Sequence, residues 1–285
     1  MPLEVLRFES SIVHYGVSSD EEPYFGQVDQ LTVRELYNPT IDPELPPGVH
    51  NYQVIIEATV LTREGAWKAK LAASDLASEL DRAWVYVCGR PLHPVYMQLQ
   101  FDKPPEGWRT NAKEVDVRLA QAEDKMYTII EPGKDWHWMQ LPFFPLREVL
   151  KVRESLTVAS AATLALAGLH YSALKSLDSD ANLFLLAKAL ELGRKLLPGK
   201  NDEAREKSLP LNICSAMSYP LTWLFDMSNN RYDVRHVVVK NREDPQLHTR
   251  MTTTERAAFI EDADLVIRSI VCQQIGRPAF IVKQQ

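Results

Sequence analysis

The feature that most constrains this chain is a change of hydrophobic period between residues 141 and 150, where Pro142 and Pro145 separate two kinds of pattern. Before it, apolar stretches are short, rich in β-branched and aromatic residues, and bounded by proline and turn residues. Those at 52–61, 84–88, 96–101, 115–119 and 127–130 read as strands, and 74–80 reads as a short helix with Ser74 as N-cap. After it, apolar residues recur with helical spacing over long windows. The expectation is an α+β protein. Residues 1–145 form an antiparallel β domain, sandwich or barrel, that senses or binds something, and residues 146–285 form an all-α bundle.

Within the second half, one helix is expected over 146–177 and another over 180–197, stopped by Pro198 and Gly199. A third starts near Leu211 and meets Pro220, which either kinks it or opens a new helix. The last begins at a capping-box pattern of Thr252 and Glu255. It carries one apolar stripe of Ile260, Ala263, Ile267, Ile270 and Val271, and closes at Gly276 and Pro278.

At 285 residues, with 45% hydrophobic and 25% charged residues, the chain is long enough for two cored domains and has none of the composition of disorder. Cys88, Cys214 and Cys272 are odd in number and widely spaced, which suggests buried thiols in a reducing compartment. The opening MPLEVLRFESS lacks the basic and apolar regions of a secretory signal, so a cytoplasmic protein is expected. Residues 155–174 carry no charge, but Ser, Thr, His and many alanines interrupt the stretch. It reads as a central helix buried on most sides and not as a membrane span. Residues 1–145 hold 13 Lys and Arg against 22 Asp and Glu, giving −9, whereas 146–285 hold 19 against 16, giving +3. A polyanion would meet the helical half.

Familiar catalytic signatures are missing: the sequence has no phosphate loop, no GxGxxG, no HExxH, no GxSxG and no metal-ligand spacing. No cofactor or metal is expected. Asp262 and Asp264, two apart on a helix, point in different directions and make no carboxylate dyad. His14, His50, His93, His137, His170 and His248 receive no role. Trp136-His137-Trp138 offers either a base-stacking platform or one buried and one rim ring on a strand.

The remaining candidate is FDMSNNRYDVRHVVVK, residues 225–240, where Asn229, Asn230, Arg231, Arg235, His236 and Lys240 crowd one polar, basic stretch after an apolar run. Arg grips phosphate with two hydrogen bonds, and His exchanges protons near neutral pH. Arg231 followed by four residues and His236 resembles the R-x4-6-H motif of HEPN domains, a likeness that covers roughly residues 146–277 and includes the helix order. Tyr232 stands where that family usually has a small polar residue, and Asn230 precedes the arginine instead.

The resemblance implies an all-α domain that dimerises to form a shared cleft. It also implies metal-independent endoribonuclease activity, as in toxin–antitoxin and phage-defence effectors, with a protein trigger or antitoxin as possible partner. Arg231 and His236 would be catalytic, and Asn230, Arg235 and Lys240 would bind RNA substrate. The rival expectation is a non-catalytic dimerising module, or a regulator that binds nucleotide or RNA. In the blander reading, Arg231 pairs with Asp226 or Asp233 and His236 caps a helix end. On a regular helix, residues five apart lie about 140° apart, so a dimer cleft or a broken helix end is needed to bring the pair together.

Overall fold

A computed structural model describes residues 4–17, 23–39, 49–60, 63–89, 98–101, 146–176, 179–230 and 251–278. The protein is α+β. Its described residues divide into two compact units. Residues 4–81, 98–101 and 146–150 belong to the first, and residues 82–89 and 151–278 to the second.

The first unit is built on five strands, β1 (Glu4–Val17), β2 (Phe25–Val28), β3 (Leu31–Pro39), β4 (Val49–Val60) and β5 (Gln98–Phe101), in the order β2-β3-β4-β1-β5. All pairings are antiparallel, as the sequence led us to expect. In β3, Leu31, Val33 and Glu35 are buried while Thr32 and Arg34 are half-exposed, the period-two pattern of a strand with one covered face. In the central β4, consecutive Val54, Ile55 and Ile56 are all buried, so both faces are covered there. Arg34 bonds Glu57 at 2.9 Å and ties β3 to β4. Asp29, with φ 54°, turns the chain between β2 and β3, a left-handed position that Asp tolerates better than most residues.

The helix α1 (Arg63–Cys88) replaces two expectations, a short helix at 74–80 and a strand at 84–88. A short apolar run such as Trp84-Val85-Tyr86-Val87 has no period that separates strand from buried helix. The helix-forming residues before it continue unbroken to Gly89, whose φ of 82° ends the helix. The strand expected at 96–101 is β5, and those at 115–119 and 127–130 lie outside the described residues, as does Trp136-His137-Trp138.

The helices that follow are α2 (Leu146–Thr157), α3 (Ala161–Lys175), α4 (Ser179–Leu196), α5 (Asp202–Glu206), α6 (Leu211–Ala216), α7 (Leu221–Asn230) and α8 (Thr253–Gln274). The single helix expected over 146–177 is two. Ser155 and Thr157 turn their hydroxyls back onto the carbonyls of Lys151 and Arg153, both at 2.9 Å, and Ser160 caps α3 by accepting from Thr163 N. Such local bonds compete with helix continuation. The uncharged stretch is thereby divided, and among the described residues no helix is long and apolar enough to cross a membrane.

The ends of α4 and α8 follow the sequence closely. Gly199, at φ 132°, turns the chain after α4, where a Cβ would come within 2.9 Å of the Ala204 and Arg205 backbone. Thr252 and Glu255 form a complete capping box, and Arg277 N to Cys272 O with Gly276 N to Gln273 O closes α8 in a Schellman arrangement. The burial pattern differs from expectation. α3 buries one face, through Thr163, Leu166, Ala167, His170 and Ala173, whereas α8 is buried from Leu265 through Cys272 on every side. α8 holds the central position because α3, α4, α6 and α7 all pack against it.

Candidate functional site

Pro220 opens α7. It has no side-chain acceptor, but its carbonyl takes Trp223 N at 3.0 Å and Leu224 N at 3.3 Å. The free N–H groups at this helix start are satisfied by carboxylates from elsewhere. Asp262 of α8 accepts from Ser218 N at 2.9 Å and Tyr219 N at 3.0 Å, and Glu206 of α5 accepts from Leu221 N at 3.0 Å. Tyr219 and Trp223 stack at 4.0 Å, and Trp223 tilts against the buried Phe259 of α8. Arg194 of α4 lies 5.0 Å from the Phe225 ring and holds Asp202 with two bonds, of 2.8 and 2.6 Å. Arg205 adds a third bond to Asp202 at 2.6 Å.

α7 ends at Asn230. Arg231, Arg235, His236 and Lys240, candidate catalytic and RNA-binding residues, lie outside the described residues, and Asn230 is placed as the last residue of α7.

Sequence reasoning passed over a second constellation. His170 of α3, with no exposed surface, bonds Tyr86 Oη through Nδ1 at 3.1 Å and Asp264 Oδ1 through Nε2 at 2.7 Å. Arg268, one turn along α8 from Asp264, donates to Asp264 Oδ2. Burial drives the Tyr86 phenol well above its ordinary range, aided by nearby Cys272 and Asp264 and opposed by Arg82 and Arg268. Tyr86 therefore keeps its proton, and its hydroxyl shares a hydrogen bond with Nδ1 of His170. The other ring nitrogen, Nε2, faces Asp264 Oδ1 and ties the imidazole to α8. Burial alone would raise Asp264, but Arg268 and His170 outweigh it and hold the carboxyl below its usual range.

The string has no free end for a substrate. Both ring nitrogens of His170 are engaged, Tyr86 is 1% exposed, and only Asp264, at 19%, reaches solvent. A general base needs an open lone pair within reach of its proton. His170 therefore acts here as a structural link. The sequence signal was a lone histidine inside TLALAGLHYSALK, too polar for that face unless satisfied. Asp262 and Asp264 do serve different partners, as their spacing required.

Among the described residues, no three His, Cys, Asp or Glu side chains gather closely enough to hold a metal ion. Of the cysteines with described side chains, Cys214 is half-buried and Cys272 buried, both as free thiols, and burial pushes Cys272 up to about 11. No family model, curated protein or solved structure matches this chain.

Proposed function

We propose that the helical part is a HEPN-like domain that cleaves RNA without a metal, with Arg231 and His236 as the catalytic pair and the β-rich part as its sensing domain. One observation carries the reading. Arg231 is the first residue after α7, and the segment it opens runs to the Thr252 capping box of α8. The motif thus follows in sequence the last residue of α7, Asn230, and precedes the Thr252 capping box of α8, the place in the helix order where the resemblance expects it.

The chemistry rests on the ribose 2′-OH, which lies beside the phosphodiester and can attack it directly. The O2′–P bond forms as the P–O5′ bond breaks, leaving a 2′,3′-cyclic phosphate and a 5′-hydroxyl. His236 moves the proton, Arg231 neutralises the phosphate oxygens, and Asn230, Arg235 and Lys240 hold the flanking strand. A homodimer would supply a composite cleft, and a protein trigger or antitoxin would control it in the cytoplasm.

The test is RNA cleavage by the full chain, alone and with candidate partners. His236→Ala and Arg231→Ala should abolish cleavage with little change in melting temperature, and EDTA should have no effect. Intact RNA under all conditions, or undiminished cutting by His236→Ala, would overturn the catalytic reading and leave a nucleotide- or RNA-binding dimerisation module.

A further inference from the structure

The helices joined by His170 have little in their apolar surfaces to fix how they are rotated. α8 is buried on every side from 265 to 272. The residues of α3 outside its buried face include Leu164, Ala165, Gly168 and Leu169, themselves apolar. At the end of α1, consecutive Ala83, Trp84, Val85 and Tyr86 are all buried. Hydrophobic attraction has no direction, so turning or sliding such a helix exchanges one apolar contact for another. A slip of one residue in α8, by contrast, rotates Asp264 by about 100° away from His170. His170 would then be buried with Nε2 left without its partner, the costly case for a polar group.

We propose that the string Tyr86–His170–Asp264–Arg268 sets the rotation and register of α3, α8 and the end of α1, selecting one packing among several of similar apolar burial. The string acts by penalising the alternatives. Buried ionic groups are commonly no more stabilising than well-packed apolar replacements, so its removal should cost uniqueness before it costs helix content.

The experiment uses two variants of the full chain. Tyr86→Phe with His170→Leu removes the tie between the three helices and leaves the Asp264–Arg268 pair on α8. A fuller variant adds Asp264→Leu and Arg268→Met. The expected result in both is wild-type helicity by far-ultraviolet circular dichroism, with methyl NMR resonances of the helical unit split or broadened and a new capacity to bind the dye ANS. Sharp single resonances in either variant would overturn the proposal. So would loss of helicity in the two-site variant, because the string would then be required for stability and not for choosing among packings. If only the fuller variant fails to fold, the two-site variant decides.

Discussion

Nε2 of His170 lies 2.7 Å from Oδ1 of Asp264, and this contact joins α3 to α8 through an imidazole with no exposed surface. Asp264 also partners Arg268, which is only 4% exposed. Asp264→Ala would leave both groups buried without their carboxylate. The expected loss is about 3–5 kcal/mol, the range for breaking a buried pair from one side. Asp264→Asn, which keeps an acceptor for one of them, should lose less. Urea unfolding of the two variants checks the order.

The same carboxyl predicts a pH dependence. Because Asp264 titrates lower in the folded chain, its contribution is fully present above the ordinary aspartate range near 3.9 and is lost as pH falls through its lowered value. Asp262 has the opposite sign. Burial raises it despite the N–H bonds from Ser218 and Tyr219, so ionising it disfavours the fold as pH rises through its raised value. Unfolding midpoints between pH 2 and 6 should give wild-type-minus-variant curves of opposite slope for Asp264→Asn and Asp262→Asn, the window being about that of carboxyl titration.

Two helix-interior glycines should respond oppositely to alanine. A Cβ at Gly168 meets nothing within 4 Å, so Gly168→Ala should stabilise by about 0.5–1 kcal/mol through lower backbone entropy in the unfolded chain. At Gly193 a Cβ would lie 2.9 Å from Ile270 Cδ1, in the core where α4 meets α8. Overpacking of about 1–3 kcal/mol should outweigh the helix-propensity gain, and Gly193→Ala should melt lower than wild type.

The thiols should differ in reactivity. Cys272 is buried, and burial pushes it up to about 11, so little thiolate exists near neutral pH and reagents cannot reach it. Cys214 is half-buried, with its pKa raised by burial and Glu206. Maleimide labelling followed by peptide mapping should modify Cys214 slowly in the native protein and Cys272 only after unfolding.

Much of the helical half was legible because its ends are written in local chemistry. Thr252 with Glu255, Gly276, and Pro198 with Gly199 act within a turn of where they stand, and each marks a boundary in the fold. Ser160 was equally local but went unread, because the uncharged stretch around it invites one continuous helix. Residues 84–88 were misread as a strand because aromatic and β-branched residues suit a strand or a fully buried helix end alike. The strands β1, β2 and β3 were not anticipated, although Leu31, Val33 and Glu35 alternate visibly. The Tyr86–His170–Asp264 link joins residues 84 and 94 positions apart, a distance at which no spacing rule operates. Arg231, Arg235, His236 and Lys240 rest on the sequence resemblance alone.

The start of α7 carries a consequence for everything that follows it. A helix that supplies its own cap keeps its entry angle when its neighbours change. Here Glu206 of α5 holds the first N–H of the helix, that of Leu221, and Asp262 of α8 holds the two N–H groups of Ser218 and Tyr219 just before it. Its aim is therefore governed from two distant points of the chain. A substitution at either carboxylate would swing the far end, Asn230, and with it the point from which residue 231 departs, without altering any residue of the R-x4-H segment itself.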